Sequence, residues 1–320
     1  MPQNDVFHLV VPDELAGERI DVAVAKLAPD TSRTRAQNII RGKYLKLNGA
    51  ICDLPRIRVE AGQVIDIDAP AQQITTQAKP ESIPVDVMYE DEDVLVVNKP
   101  AGMVVHPAAG NWSGTLVNAI LGREPELMDD EEMDPLRPGI VHRLDKDTSG
   151  ALVIAKTPRA LRKLSKAFER REVRKTYLAI VHGWPVPMSA VIKTGYARHP
   201  SDFRKMTVPA RIGDGDGREA VTAYSVVKQG WYKGVKAALV KVQLHTGRTH
   251  QIRVHMSYKG YPLVGETLYN RGRAPLADRQ MLHAWQLGFA HPETGEELMF
   301  EAPIPEDFQA AADAIMPEKE

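Results

Sequence analysis

Apolar positions at Ile20, Ala23, Val24 and Leu27 recur at helical spacing and predict a helix within "AGERIDVAVAKLAP". A second helix is expected over "SRTRAQNIIRG", capped by Ser32, with Ile39 and Ile40 turned inward and Arg33, Arg35 and Arg41 outward. "KYLKLNGAICD" then carries Asn48-Gly49 at its centre, a strong hairpin dipeptide, and "GQVIDIDAP" reads as a further strand. These elements make a compact unit over residues 1–70. Residues 71–84, "AQQITTQAKPESIP", are polar without a hydrophobic period and read as a linker.

From residue 85 to 320 the texture changes to strand-like runs: "DVLVVNKP", "GALVIAKT", "KTYLAIVHG", "AVTAYSVV", "KAALVKVQLHTG" and "QIRVHMSY". Helical patterns fall between them around 113–122 and 158–171. Strands outnumber helices and do not alternate with them regularly. The expectation is therefore an α+β fold, with a large mixed and mainly antiparallel sheet.

Composition alters this picture only where charge is segregated. The chain of 320 residues is 43% hydrophobic and 26% charged with a formal net charge of −1, ordinary for a globular protein. Residues 31–58, however, hold seven Lys/Arg, among them Arg33, Arg35, Arg41 and Lys43, against Asp53 alone. Residues 159–175 hold eight Lys/Arg against Glu169 and Glu172, whereas residues 124–134, "EPELMDDEEMD", carry seven acids and read as a solvated loop. Polyanion binding depends on where basic charge is concentrated, so a near-neutral total leaves a nucleic-acid partner open.

A single cysteine, Cys52, excludes an internal disulfide and a cysteine-built metal site. The first residues do not read as a signal peptide, and no apolar run approaches the ~18 residues of a membrane span. A cytoplasmic, membrane-free and monomeric protein is the expectation. P-loop, H-E-x-x-H and G-x-S-x-G signals are missing. "DGDGREAVTAY" opens like a calcium loop but has Arg218 and Glu219 where a ligand and a glycine are needed, so it reads as a turn. His245, His250 and His255 recur every five residues, which on a strand would alternate faces rather than converge on zinc.

Three segments combine catalytic-type side chains with tight glycine turns: "HRLDKDTSG", "RREVRKTYLAIVHG" and "LHTGRTHQIRVHM". Each has a plain structural reading. Asp145 could close a turn, a job for which Asp147 is better placed, or pair locally with Arg143. Tyr177 could be a half-buried sheet aromatic, and Arg248 one more surface arginine. Together, though, these segments resemble the RluA family of pseudouridine synthases, as does "YEDEDVLVVNKPAGMVVHP" at the head of residues 85–305. Residues 17–69 resemble the alpha-L RNA-binding domain shared with a small-subunit ribosomal protein. "HPAAGN", "ARHP" and "DRQMLHA" look most like the members that act on large-subunit ribosomal RNA.

The resemblance implies an N-terminal alpha-L domain followed by a pseudouridine synthase catalytic domain that isomerises uridines in a stem-loop of large-subunit ribosomal RNA or a pre-ribosomal particle. It implies Asp145 as the catalytic carboxylate, Tyr177 beneath the target base, Arg248 as the partner of Asp145, and Arg143 as the group that helps displace the nucleotide. The reaction neither adds nor removes atoms, so no metal and no cofactor is expected. Two other readings stand beside it: a non-catalytic RNA-binding or ribosome-assembly protein, which would not need Asp145, Tyr177 and Arg248 together, and a nucleoside hydrolase.

Overall fold

The computed structural model describes residues 4–29, 31, 33–70, 77–108, 110–128, 132–209 and 218–317. The chain divides into two compact units, Met1–Thr75 and Thr76–Glu320.

In the first unit, strand β1 (Asn4–Val10) precedes helices α1 (Ile20–Leu27) and α2 (Arg33–Arg41); then come β2 (Leu45–Leu47), β3 (Ala50–Ile51) and β4 (Val64–Pro70). The strands form a sheet in the order β1-β4-β2-β3. Ile20, Ala23, Val24, Ile39 and Ile40 meet Leu45, Ile65 and Ile67 in its core, as helical spacing requires. Asn48 (φ 49°) and Gly49 (φ 80°) both take positive φ, the backbone of a type I′ hairpin turn between β2 and β3. Fully buried Asp21 holds the two helices together, accepting from Arg19, Arg33 and Gln37. Arg33 keeps a half-exposed side chain, and Arg41 and Lys43 are exposed. Arg35 departs from expectation: it is mostly covered, pairs with Asp5, and donates to the Pro70 carbonyl at 2.9 Å, so it ties α2 to the ends of β1 and β4 instead of facing out. The helix cap expected at Ser32 lies outside the described residues.

The second unit contains β5 (Asp86–Glu90), β6 (Val94–Lys99), α3 (Leu116–Arg123), β7 (Ser149–Ala155), α4 (Pro158–Glu169), β8 (Arg174–His182), β9 (Ser189–Arg198), β10 (Met206–Thr207), β11 (Arg218–Tyr232), β12 (Val235–Leu244), α5 (Gln251–Tyr258), β13 (Leu282–Ala290), β14 (Glu297–Glu301) and α6 (Glu306–Asp313). Among the described residues these strands form one sheet in the order β10-β9-β11-β12-β8-β13-β7-β6-β5, with β14 beside β13. Every pairing is antiparallel except β13 with β7. This is the mixed α+β arrangement that the strand-rich pattern predicts.

Strand β7, buried at all seven positions, explains why "SGALVIA" lacks alternation. Leu95, Val97, Leu152 and Ile154 pack with Leu116 and Ile120 of α3, while Val94, Val96, Ala151 and Val153 pack with Ala160 and Leu164 of α4. A strand covered on both faces has no polar side to show.

Two further expectations need correction. Residues 77–84 are not a free linker: Ala78 is fully buried, its N–H donates to Pro135, and Glu81 exchanges hydrogen bonds with Asn118 and Gly114 around α3. Short polar residues that satisfy a helix look from sequence like a tether; residues 71–76 of the expected linker lie outside the described residues. "QIRVHMSY" is helix α5, not a strand. Ile252, Val254 and Met256 alternate with polar residues, but Arg253, His255 and Ser257 between them are also buried, so a helix enclosed on nearly all sides mimics period two. Of the acidic segment, Leu127 and Met133 are buried, so it is not wholly a solvated loop; residues 129–131 lie outside the described residues, as do 210–217, where the turn of "DGDG" falls.

At the head of β7, Gly150 has φ 117° beside the parallel partner β13, and a Cβ there would lie 2.2 Å from the Ala284 carbonyl oxygen. Gly150→Ala is expected to cost about 3 kcal/mol or more, from strained φ and backbone overlap together. A thermal melt should show it as a drop of roughly 6–12 °C.

Candidate active site

The corner from Asp145 to Thr148 enters β7 with its backbone fixed from four directions. Thr148 N–H closes the turn on the Asp145 carbonyl at 3.1 Å. The Lys146 carbonyl accepts from Gly102 N–H at 2.9 Å and from Lys99 Nζ at 3.0 Å. Arg279 donates to the Asp147 carbonyl at 3.1 Å, and Gln280 to Thr148 Oγ1 at 2.9 Å. Lys99 has no exposed surface; its ammonium also donates to the carbonyls of Pro100 and Met103. Burial pulls its pKa down to about 7 against the opposing charges of Asp147 and Asp145. The turn thus closes through the main chain, and the Asp145 carboxylate is left for other work.

That carboxylate faces a cleft of about 530 Å³. Its Oδ2 accepts from Arg253 Nη1 at 3.1 Å, and its Oδ1 lies 3.9 Å from His250 Nε2. The arginine beside Asp145 is therefore Arg253, in the first turn of α5, and not Arg248. Arg248 stands in the loop before that helix and donates through Nε to the Glu219 carbonyl at 3.3 Å, although it too lines the cleft. The choice of Arg248 rests on the resemblance alone; the helix that begins at Gln251 carries residue 253 toward Asp145, while residue 248 stays in the loop before it.

Arg253 is buried and shared. Its Nε and Nη2 bind both oxygens of Glu266 at 2.7 and 2.8 Å, leaving Nη1 for Asp145. Such a fork satisfies two carboxylates with one planar cation. Burial would raise the Glu266 carboxyl, but Arg253 and the N–H groups of Leu268 and Tyr269 hold it below its ordinary value. The Tyr269 ring lies 5.4 Å from the guanidinium carbon. Its hydroxyl accepts from Met206 N–H at 2.9 Å and meets His250 Nδ1 at 2.8 Å. His250 opens α5 with φ 57°.

Tyr177, on β8, forms part of the same cleft wall and is only 8% exposed. Burial, with some help from the charge on Asp145, raises its hydroxyl pKa well above the ordinary value, so the ring presents a neutral face. Arg143 is exposed at the cleft and makes no ion pair with Asp145. The structure thus gathers Asp145, Tyr177, Arg143 and Arg248 around one cavity and adds Arg253, Glu266, His250 and Tyr269. Arg253 lies within "HQIRVHM", so a helical reading of that stretch finds it; Glu266 carries no sequence signal of its own. Among the described residues, no group of three or more His, Cys, Asp or Glu side chains converges as a metal site would.

Glu266→Gln leaves Arg253 half compensated in a buried place and is expected to cost about 3–5 kcal/mol at neutral pH. Because the folded-state pKa of Glu266 lies below its unfolded value, its stabilisation is present above that unfolded value and lost as pH falls. The melting-temperature gap between wild type and variant should be widest near pH 7 and narrow as pH drops through roughly 4.

Comparison with known proteins places this geometry in a family. The RNA pseudouridylate synthase profile matches residues 93–258, and the S4 domain profile matches residues 18–65. The ribosomal large subunit pseudouridine synthase D of Neisseria meningitidis serogroup B is 41% identical over 310 residues, 93% of this chain and 79% of that protein. Its namesake in Nitrosomonas europaea is 39% identical over 320 residues, 98% of this chain and 88% of that protein. Among solved structures, human RNA pseudouridylate synthase domain containing 1 superposes with a TM-score of 0.56 at 29% identity, covering 70% of this chain and 85% of its own. No helix among the described residues is long and apolar enough to cross a membrane. An S4 domain followed by a mixed-sheet unit whose aspartate and tyrosine motifs meet in one cleft, with this degree of identity along nearly the whole chain, makes the protein a member of the RNA pseudouridylate synthase family and hence an isomerase.

Proposed function

We propose that this protein converts uridines in a stem-loop of large-subunit ribosomal RNA to pseudouridine, using the Asp145 carboxylate at the ribose of a flipped-out nucleotide. One observation carries the reading: Asp145 is held by Arg253 at the edge of a cleft that has the Tyr177 ring in its wall. The names of the relatives, which act on the large ribosomal subunit, support the substrate class.

The chemistry demands little else. The bond from ribose to N1 must break, the uracil must turn, and C5 must be joined to the sugar. An ionised carboxylate can attack the anomeric carbon, or remove the C2′ proton to give a glycal; either route uses the same group. The Arg253 guanidinium donates a charge-assisted hydrogen bond to this carboxylate at 3.1 Å. Glycosidases use a second carboxylate to protonate a leaving oxygen or activate water. Detached uracil carries its own charge on its carbonyls, so one carboxylate is sufficient.

Access to the base requires extrusion, which costs a few kcal/mol of stacking. An aromatic platform returns about 1–3 kcal/mol, and Tyr177 is the ring that serves as one. Arg143, long, planar and exposed at the cleft, takes the space that the base vacates, and Arg248 steers the strand at the rim. In the N-terminal unit, Arg33, Arg41 and Lys43 supply positive charge to the RNA. Arg35 contributes there chiefly by fixing the fold.

Mapping pseudouridine in ribosomal RNA from cells carrying wild-type protein or Asp145→Asn tests the catalytic assignment: the sites made by this enzyme should vanish in the variant, and identical maps would return the chain to a binding role. In the same assay on isolated RNA, Arg143→Ala should slow turnover on paired stems more than on unpaired substrate. The double variant Arg41→Ala, Lys43→Ala should bind RNA with a shallower salt dependence, its logarithmic slope reduced by about 1.4–1.8 if both touch phosphates.

A further inference from the structure

Lys175 is the cleft residue whose burial the proposed chemistry does not use. It lies on β8 two residues from Tyr177, hence on the same face of the strand, and about 7 Å along it. Only 8% of its surface is exposed. Among the described residues its ammonium finds no hydrogen-bond acceptor and no ion-pair partner; its one polar contact is the face of Phe168, 5.4 Å away. Glu169 also lines the cleft but forms no ion pair with it. His142, against Phe168 on the same side, is kept neutral by burial and by the charge of Lys175 itself, with its pKa pushed down to about 3.

The same fold shows what a lysine buried for structural reasons looks like. Lys99 donates to three carbonyls, and Lys156 is held between Glu90 and Glu124. An ammonium without an acceptor in a mostly buried wall is destabilising, and an uncharged side chain of similar length would fill the space without that cost. The backbone nevertheless leaves it room: a side chain on Gly247 would begin 3.8 Å from Lys175 Nζ.

We propose that Lys175 binds a backbone phosphate next to the extruded uridine. The proposal rests on the cleft receiving a flipped nucleotide, the reading of the site under Proposed function. A full buried charge is best met by a full opposite charge, and RNA offers that only at its phosphates. With Asp145 at the sugar and Tyr177 under the base, the diester joined to that sugar is the remaining part of the nucleotide, and Lys175 is the remaining partner. The pairing forms only when RNA enters, so the energy held in the unpaired ammonium is returned on binding the right strand.

The test uses the full-length protein and a stem-loop RNA containing the target uridine, alone or with a neutral methylphosphonate at one flanking phosphate. Lys175→Met should raise KM by roughly 10–100-fold, the worth of a charge-assisted hydrogen bond, with a far smaller change in kcat. The logarithmic salt slope should fall by about 0.7–0.9, and Lys175→Arg should recover most of the affinity. Methylphosphonate at one flanking position should weaken binding to wild type but not to Lys175→Met, and the variant should melt no lower than wild type. A loss confined to kcat, with KM and salt slope unchanged, would assign the ammonium to a uracil carbonyl and overturn the proposal. A lowered melting temperature, or no kinetic change at all, would overturn it equally. Retained turnover in Asp145→Asn would instead remove the reading of the cleft, whatever Lys175 does.

Discussion

One guanidinium, that of Arg253, ties the candidate active site together. It sits between a carboxylate with no exposed surface, Glu266, and one facing the cleft, Asp145. Glu266 can remain ionised in the interior only because Arg253 and two backbone N–H groups receive its charge. With two arms so anchored, the third is presented to Asp145 in a fixed plane, and it cannot swing away without leaving a buried carboxylate unpaired. The setting of the Asp145 carboxylate thus depends on a second carboxylate, Glu266, that has no exposed surface.

The backbone beneath Asp145 is fixed by an equally economical device. Lys99 and Gly102 converge on the Lys146 carbonyl, Arg279 on the next, and Gly150 lets β7 approach β13 closely enough to pair in parallel. A catalytic group on a corner held in this way keeps its position better than one on a mobile loop. The two buried lysines of the site divide the work. Lys99 is fully satisfied by carbonyls and immobilises the corner, whereas Lys175 has no such acceptor among the described residues and lines the cleft.

Much of this is legible in the residues. The helical spacing at Ile20–Leu27, the Asn48-Gly49 turn and the strand runs between residues 94 and 244 correspond to elements of the fold, and the three motif segments meet in one cleft. The failures share a cause. Where tertiary packing encloses an element on most sides, local periodicity loses its meaning: α5 looks like a strand because burial takes its polar residues as well as its apolar ones. The resemblance names Arg248 as the partner of Asp145, a place that Arg253 takes because α5 begins at Gln251. Likewise the polar stretch 77–84 and the side chain of Arg35 are engaged by groups distant in sequence, the first around α3 and the second at Asp5 and Pro70. No local pattern records such partners.

The contacts from Met206 through Tyr269 to His250 join the edge of the sheet to the cleft. The Tyr269 hydroxyl accepts from the Met206 amide and also meets His250 Nδ1. Burial lowers the imidazole pKa, and its Nε2 is the atom turned toward Asp145. A main-chain amide of the edge strand is thereby linked, through one phenol and one imidazole, to the surroundings of the Asp145 carboxylate.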